Sequence, residues 1–197
     1  MPAELPELLV HDAAALRDWL ADNHATSQGV RLVLGKKGGT DTTLSWAQAV
    51  EELLCYGWID GQAGRRDEGS YTIRVTPRRP RSMWSQRNVG LVAQLEKQRR
   101  MRAAGRAAVD AAHADGRWAA AYAGPATAET PADLLAAIAA EPEAQRMFDV
   151  LTKTNRFALY GRLNAVKRAE TRERKIGEFV AMLARHEAPY PQRARPE

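Results

Sequence analysis

The 197-residue sequence is poor in cysteine and histidine, and this scarcity excludes several classes of protein. Cys55 is the single cysteine, so no internal disulfide can form and a reducing environment is predicted. The four histidines, His11, His24, His113 and His186, are scattered and lack the clustered spacing that a structural zinc site needs. The sequence therefore predicts neither a metal site nor a cofactor.

Long apolar runs and common nucleotide-binding motifs are also missing. No window of about 18 uncharged apolar residues occurs, and the first residues lack the basic and apolar segments of a signal peptide. Membrane insertion and export are not expected, and a cytoplasmic protein is predicted. The absence of the phosphate-binding loop, the dinucleotide fingerprint, the serine-hydrolase elbow and the zinc-protease helix motif excludes the commonest enzymes of those classes.

Charge is unevenly distributed along the chain. Residues 1–60 carry nine acidic and four basic side chains, whereas residues 61–88 carry seven arginines and only two acidic side chains. The segment 61–88 alone thus has a net charge of +5, which equals the net charge of the whole chain. Such asymmetry favours an anionic partner, although the acidic first part of the chain can also neutralise these arginines within the fold.

Capping residues mark the helices that we predict in the first part of the chain. Asp12 is a suitable N-cap for a first helix, and Ser45 with Gln48 forms a capping-box pair at the start of a second. A third helix follows the arginine-rich segment, with either Ser82 or Ser85 as its N-cap. The basic segment therefore leads directly into a helix N-terminus.

Alternating apolar and polar residues predict two strands. They cover residues 30–34 and 71–76, and Pro77 ends the second strand because it cannot donate a ladder hydrogen bond. The second strand places Arg74 on its polar face. Between the strands, glycines on both sides of Trp58, Ile59 and Asp60 predict a tight turn.

From residue 103 onward the sequence is rich in alanine, and its periodic segments predict only helices. These segments cover residues 103–114, 131–140, 143–152, 155–166 and 171–184. Thr130 and Pro131 form a start signal, because threonine can cap a helix and proline suits its first position. A charged run at 167–175, in which Glu170 can pair with Arg174, is typical of a solvated surface.

These patterns predict an α+β fold. Its N-terminal half contains a small β-sheet packed by helices, and its C-terminal half is all-helical. We expect an α+β domain at residues 1–124, a helical domain at 125–188 and a flexible tail at 189–197.

The stretch from Gly57 to Asn88 is the main candidate for a functional surface. Residues 76–88 place three arginines, stiffened by two prolines, before a helix N-terminus, and this combination of guanidinium groups and free backbone N–H groups suits an anion. The alternative is that these arginines pair with the acidic first sixty residues. The candidate ligand-binding residues are Lys36, Lys37, Trp58, Asp60, Arg74, Arg78, Arg79, Arg81, Ser82, Trp84, Ser85, Arg87 and Asn88.

Three residues leave alternatives open. Trp58 can stack on a planar ligand or fill the core. Asp60 can anchor a ligand, act as an acid/base, cap an element or pair with an arginine. Cys55, predicted in the last turn of a helix, can be a nucleophile or an inert core residue, and the second interpretation is favoured because no histidine is predicted nearby. Three functions follow: a protein that binds nucleic acid or a phosphorylated small molecule, an enzyme that uses Asp60 with Arg74 and Arg79, or a module that recognises an acidic protein.

Three longer stretches, residues 51–61, 76–88 and 165–172, closely resemble the bacterial YdeI/OmpD-associated family, also described as bacteriocin-protection proteins. The resemblance implies a link to tolerance of bacteriocins or antimicrobial peptides and to an outer-membrane porin. It implies no reaction, no ligand and no catalytic residue. Because no signal peptide is predicted, protection is expected to be exercised from inside the cell.

Overall fold

The structure, a computed structural model, describes residues 5–124, 128–164, 166 and 168–196. The chain divides into two compact units, Met1–Ala121 and Tyr122–Glu197. Over the described residues, the first unit contains a sheet and helices and the second contains helices alone, which confirms the predicted α+β class. Part of the predicted boundary segment, residues 125–127, and Lys167 of the charged run lie outside the described residues.

The first unit is built on one sheet with helices on one of its sides. Its elements are β1 (Glu7–Leu8), α1 (Ala13–Asn23), β2 (Val30–Gly35), α2 (Trp46–Cys55), β3 (Trp58–Arg65), β4 (Ser70–Pro77), α3 (Gln86–Lys97) and α4 (Ala103–Ala114). The strand order across the sheet is β1-β2-β4-β3. β1 is parallel to β2, whereas β4 is antiparallel to both of its neighbours.

The caps predicted for the helices of the first unit are present in the structure. Asp12 accepts a hydrogen bond from the backbone N–H of Ala15 at 2.9 Å, and Ser45 forms a capping box with Gln48. Of the two serines proposed for the third helix, Ser85 is the cap, since its hydroxyl accepts from the N–H of Asn88. These local signals are sufficient to place the first turns of α1, α2 and α3.

The segment predicted as a turn around Trp58 is mostly strand, which corrects that prediction. Gly57 alone makes the turn, with a φ of 73°, and a Cβ at this position would lie 2.8 Å from the carbonyl oxygen of Ala104. From Trp58 onward the chain pairs with β4 as an edge strand. Edge strands need few apolar residues, so β3 lacks the alternation that identified β2 and β4.

The core of the first unit lies between the sheet and its helices. The apolar sides of β2 and β4 contribute Val30, Leu32, Ile73 and Val75, which pack with the buried faces of α1 and α2. These four side chains are the alternate positions that the strand patterns predict to be apolar. The opposite side of the same strands carries Arg31 and Arg74, together with the buried Val33.

The second unit consists of α5 (Ala132–Ala139), α6 (Pro142–Asp149), α7 (Lys153–Asn164) and α8 (Ala169–Ala184) around its own core. Thr130 does not cap α5: Pro131 holds the N-cap position, and the Thr130 hydroxyl donates to the Tyr160 hydroxyl at 2.7 Å. In the charged run, Arg174 pairs with Glu178 instead of the expected Glu170.

Among the described residues, no helix combines the length and the apolar character needed to cross a membrane.

The segment predicted as a flexible tail is hydrogen-bonded to this unit near its start. The side-chain amide of Asn155, a buried residue, donates to the carbonyl oxygen of Tyr190 and to the side-chain oxygen of Gln192. The backbone N–H of Tyr190 in turn donates to the Asn155 side chain at 2.8 Å. The tail prediction overlooked this asparagine because a single polar residue in a helix pattern does not reveal its partners.

Candidate functional site

The sheet of the first unit exposes two arginines side by side on its outer face, the face opposite the core. Arg31 on β2 and Arg74 on β4 are cross-strand partners, and both side chains are exposed. Like charges in this position repel each other, so the pair destabilises the sheet unless an anion lies between or beside them. Arg31 also forms an ion pair with Glu7 at 3.9 Å.

Two adjoining clefts lie on this face of the sheet. The first has a volume of about 340 Å³ and is lined by residues that include Arg31, Arg65 and Arg74. The second has a volume of about 290 Å³ and includes Arg74 and Arg79. Because Arg74 and Gln62 line both, the two clefts form one continuous surface, which we call the outer-face site.

A β-bulge shapes the middle of the outer-face site. Asp60 pairs with Val75 and Ala63 pairs with Ile73, so two residues of β3, Gly61 and Gln62, lie opposite Arg74 alone. Bulges bend a strand locally and redirect side chains, and they are frequent beside binding sites. Here the bulge places Gln62 opposite Arg74, and both residues line the two clefts.

Two arginines of the outer-face site, Arg74 and Arg79, have no acidic partner among the described residues. Among the described residues, none forms a hydrogen bond or an ion pair with the guanidinium groups of Arg65, Arg74 or Arg79. The alternative, in which arginines of the basic segment pair with the acidic first sixty residues, is found at Arg66, which pairs with Glu7 and Asp41, but not, among the described residues, at Arg74 or Arg79. Guanidinium groups of this kind can bind phosphate or carboxylate oxygens through two parallel hydrogen bonds.

Asp60 contributes to the second cleft, but its carboxylate is turned to the other side of the sheet. Its cross-strand partner is Val75, a core residue, so both side chains lie on the core face. There the carboxylate accepts a hydrogen bond from Trp46 Nε1 at 3.0 Å, and the Arg87 guanidinium stacks 4.2 Å from the centre of the Trp46 ring. This orientation separates the Asp60 carboxylate and Arg87 from Arg74.

Trp58 and Trp84 are both core residues, which decides between the alternatives left open for Trp58. Each is only 1% exposed. Trp58 donates to the His24 carbonyl oxygen, and Trp84 is packed between the Arg78 guanidinium and the ring of Trp118. Neither indole has a free face, so neither can stack on a ligand as proposed from the sequence.

The remaining residues of the 76–88 stretch have local structural roles or lie outside the two clefts. Arg78 donates to the Met83 carbonyl oxygen while stacking on Trp84. The hydroxyl of Ser82 accepts from the backbone N–H of Arg79. Arg81 is exposed but lines neither cleft, and Ser85 and Asn88 form the N-terminal cap of α3.

Lys36 and Lys37 lie at the wrong end of the sheet to join the outer-face site at Arg79. β2 and β4 are antiparallel, so Gly35 pairs with Ser70, at the start of β4, whereas Arg79 follows the end of β4. The eight residues of β4 separate these ends by roughly 24 Å. The Lys36 ammonium group instead donates to the carbonyl oxygen of Asp67.

Three members of the outer-face site, Arg31, Gln62 and Arg65, were missed by sequence analysis. Arg31 lies on the polar side of the strand predicted at residues 30–34, and this alternation could have identified it. Gln62 and Arg65 belong to β3, where the strand itself was not predicted. Their positions depend on the pairing of β3 with β4, which the local sequence does not specify.

Cys55 is the last residue of α2 and is buried, as expected for an inert core cysteine. Burial raises the pKa of its thiol to about 11, with a smaller contribution from the neighbouring Glu52 carboxylate. At neutral pH the thiol is therefore protonated and is a poor nucleophile.

Comparison with known families gives two matches that follow one another along the chain. A family described as a domain of unknown function (DUF8412) matches residues 8–108, which include the outer-face site. The family described as bacteriocin-protection, YdeI or OmpD-associated matches residues 127–186, which confirms the expected resemblance for the second unit. No curated protein and no solved structure matches the chain. The chain therefore belongs to the DUF8412 family, whose model covers residues 8–108, and its residues 127–186 are similar to the bacteriocin-protection family of YdeI or OmpD-associated proteins.

Proposed function

We propose that the first unit binds a phosphorylated ligand at the outer-face site. The observation that carries this proposal is the position of Arg74, which lines both clefts, lies beside Arg31 and has no carboxylate partner among the described residues. Arg79 extends the positive charge within the second cleft. A ligand with two anionic groups can place one in each cleft and thereby relieve the repulsion between neighbouring arginines.

Phosphate groups suit this surface better than nucleobases. The two tryptophans that could have stacked on bases, Trp58 and Trp84, are buried. Binding of single-stranded nucleic acid usually combines a basic groove with such stacking. We therefore favour a phosphorylated small molecule, and we keep the nucleic-acid backbone as a second source of the same chemistry.

The enzyme hypothesis has weaker support in this geometry. It needs the Asp60 carboxylate beside a substrate held by Arg74 and Arg79, whereas this carboxylate lies on the core face with Trp46. We therefore assign Asp60 no catalytic role in the proposal.

The proposal is tested by calorimetric titration of the full chain with inorganic triphosphate and, separately, with a single-stranded oligonucleotide. Arg74→Ala removes one charged donor pair and is expected to weaken binding about tenfold. The matched control is Arg81→Ala, which removes the same charge from an exposed position outside both clefts. It is expected to leave the affinity within about twofold, because distant surface charges are screened by salt.

The outcomes separate three classes of ligand: a phosphorylated small molecule, nucleic acid and an acidic protein. Nucleic acid is indicated if only the oligonucleotide binds and its affinity falls steeply with salt. An acidic protein partner is indicated if both probes fail while an acidic peptide binds with the same dependence on Arg74. The outer-face site is rejected if the double variant Arg74→Ala/Arg79→Ala binds every probe as well as the original chain does.

We further propose that the protein acts in the cytoplasm and contributes to bacteriocin tolerance. The family description of residues 127–186 supports the second point, and a chain with a single buried cysteine suits a reducing compartment. Cell fractionation tests the location. A deletion strain is complemented either with the original gene or with the Arg74→Ala/Arg79→Ala variant. Its survival under bacteriocin tests whether tolerance depends on the outer-face site.

A further inference from the structure

A second group of arginines in the first unit lines a cavity whose lining contains no residue of the sheet. A cavity of about 170 Å³ lies beside the end of α2 and the start of α4. Its lining includes four arginines, one carboxylate and the only thiol of the chain: Arg17, Arg99, Arg100, Arg102, Glu52 and Cys55. We call it the arginine cavity.

Two of these arginines are balanced by acidic residues. The Glu52 carboxylate, which is almost completely buried, accepts from Arg17 at 2.6 and 3.0 Å and from Arg100 at 2.7 Å. Arg100 uses its other terminal nitrogen to donate to Glu51 at 2.7 Å. These contacts hold both guanidinium groups in defined positions and neutralise Glu51 and Glu52.

The other two arginines leave the cavity with surplus positive charge. In the part of the chain that the structure describes, no side chain or backbone group pairs with the guanidinium of Arg99 or Arg102. The backbone N–H of Arg102 is satisfied by the Cys55 carbonyl oxygen at 3.0 Å. The thiol of Cys55 adds no negative charge at neutral pH because its pKa is raised to about 11.

The backbone of Arg99 provides an independent indication that its side chain matters. α3 ends in a Schellman motif, in which Arg99 N–H donates to the Glu96 carbonyl oxygen and Arg100 N–H donates to that of Leu95. The residue at the centre of this motif is usually glycine because its φ is positive. Arg99 adopts a φ of 57° there, a strained conformation for a side-chain-bearing residue, and lines the cavity.

We propose that the arginine cavity binds a small oxyanion of phosphate size through Arg99 and Arg102, with Arg17 and Arg100 held in place by Glu52. The surplus of two positive charges matches a doubly charged phosphate group. The guanidinium groups lie on α1, at the end of α3 and at the start of α4, so they can donate to the phosphate oxygens from several directions. This site is separate from the outer-face site and does not depend on it.

The test is a titration of the full chain with inorganic phosphate at constant ionic strength. It uses the Arg74→Ala/Arg79→Ala chain, so that phosphate bound at the outer-face site does not contribute. Arg99→Gly removes the side chain and at the same time relieves the positive φ. The melting temperature without phosphate is therefore expected to stay the same or rise, while phosphate binding weakens about tenfold.

Arg102→Ala gives a second measurement that does not alter the end of α3. Its backbone hydrogen bond to Cys55 is retained, and phosphate binding is again expected to weaken about tenfold. The chain that carries only Arg74→Ala/Arg79→Ala is the parent chain for both variants. The proposal is overturned if this parent chain shows no saturable phosphate binding, or if both variants bind phosphate as tightly as the parent chain. Since the parent chain already lacks Arg74 and Arg79, this result is independent of the outcome for the outer-face site.

Discussion

Glu52 illustrates how a single buried charge organises its surroundings. The residue is only 1% exposed, yet it lies on α2 between two arginines from distant parts of the chain. An ionised carboxylate in such a place is tolerated only when its oxygens are fully hydrogen-bonded, and Arg17 and Arg100 satisfy this requirement. Glu52 thereby connects α1 to the segment that follows α3.

Replacing Glu52 with glutamine should destabilise the first unit by about 2 kcal/mol. The amide cannot accept from both guanidinium groups through two charged oxygens. The loss stays below that of a fully buried ion pair because Arg17 and Arg100 are partly exposed and can turn to water. Urea unfolding followed by tryptophan fluorescence measures the effect.

The neighbouring residue supplies the control for this prediction. Glu51 also pairs with Arg100 at 2.7 Å, but its side chain is about one third exposed. Glu51→Gln should therefore cost about 0.5 kcal/mol or less, as expected for a surface ion pair. Equal effects of the two substitutions would show that burial of Glu52 does not determine its contribution.

At the scale of elements, two glycines in neighbouring helices have opposite structural meanings. Gly105 lies in α4 where that helix crosses the end of α2, and a Cβ there would lie 2.3 Å from the Cys55 carbonyl oxygen. Gly90 lies in α3, where a Cβ would have no heavy atom within 4 Å. Sequence alone assigns both the same helix-weakening character.

Alanine substitution is expected to separate the two glycines. Gly90→Ala should stabilise the first unit by about 0.5–1 kcal/mol, because it reduces the backbone entropy lost on folding. Gly105→Ala should destabilise it by about 2 kcal/mol or more, since the two helix backbones must move apart. Thermal unfolding of both variants gives the comparison, and a stabilising Gly105→Ala would contradict the close approach of α4 to α2.

Element prediction succeeded where the signal is local. Side chains such as Asp12 and Ser45 accept hydrogen bonds from backbone groups three residues away, so a few consecutive residues specify each helix start. It failed at β3, whose strand conformation depends on pairing with β4, and at Thr130, whose hydroxyl is used by Tyr160 thirty residues away. A local pattern does not contain these partners.

At the scale of the whole molecule, each unit has its own apolar core. All five tryptophans of the chain lie within residues 1–121, so their fluorescence reports on the first unit, whereas circular dichroism reports on both units. Leu159 is fully buried in the core of the second unit, and Leu135 on α5 is a partly exposed control. The two probes can therefore follow the units separately.

Leu159→Ala should destabilise the second unit by about 3 kcal/mol through lost burial and the cavity left behind. The unfolding midpoint seen by circular dichroism should split or fall, while the tryptophan midpoint stays unchanged. Leu135→Ala should leave both midpoints in place. If the tryptophan signal shifted together with the dichroism, the two units would unfold as one.

The amino-acid sequence by itself determined the α+β class, the capped helices, the polar face of β4 and the concentration of arginines before α3. These properties follow from interactions between residues close together in the chain. The tertiary structure alone decided that Arg74 lies beside Arg31, that Asp60 faces the core, that Lys36 is far from Arg79 and that four arginines line one cavity with Glu52. The physical reason is that strand register and helix packing, which optimise burial over the whole unit, determine which charged side chains become neighbours.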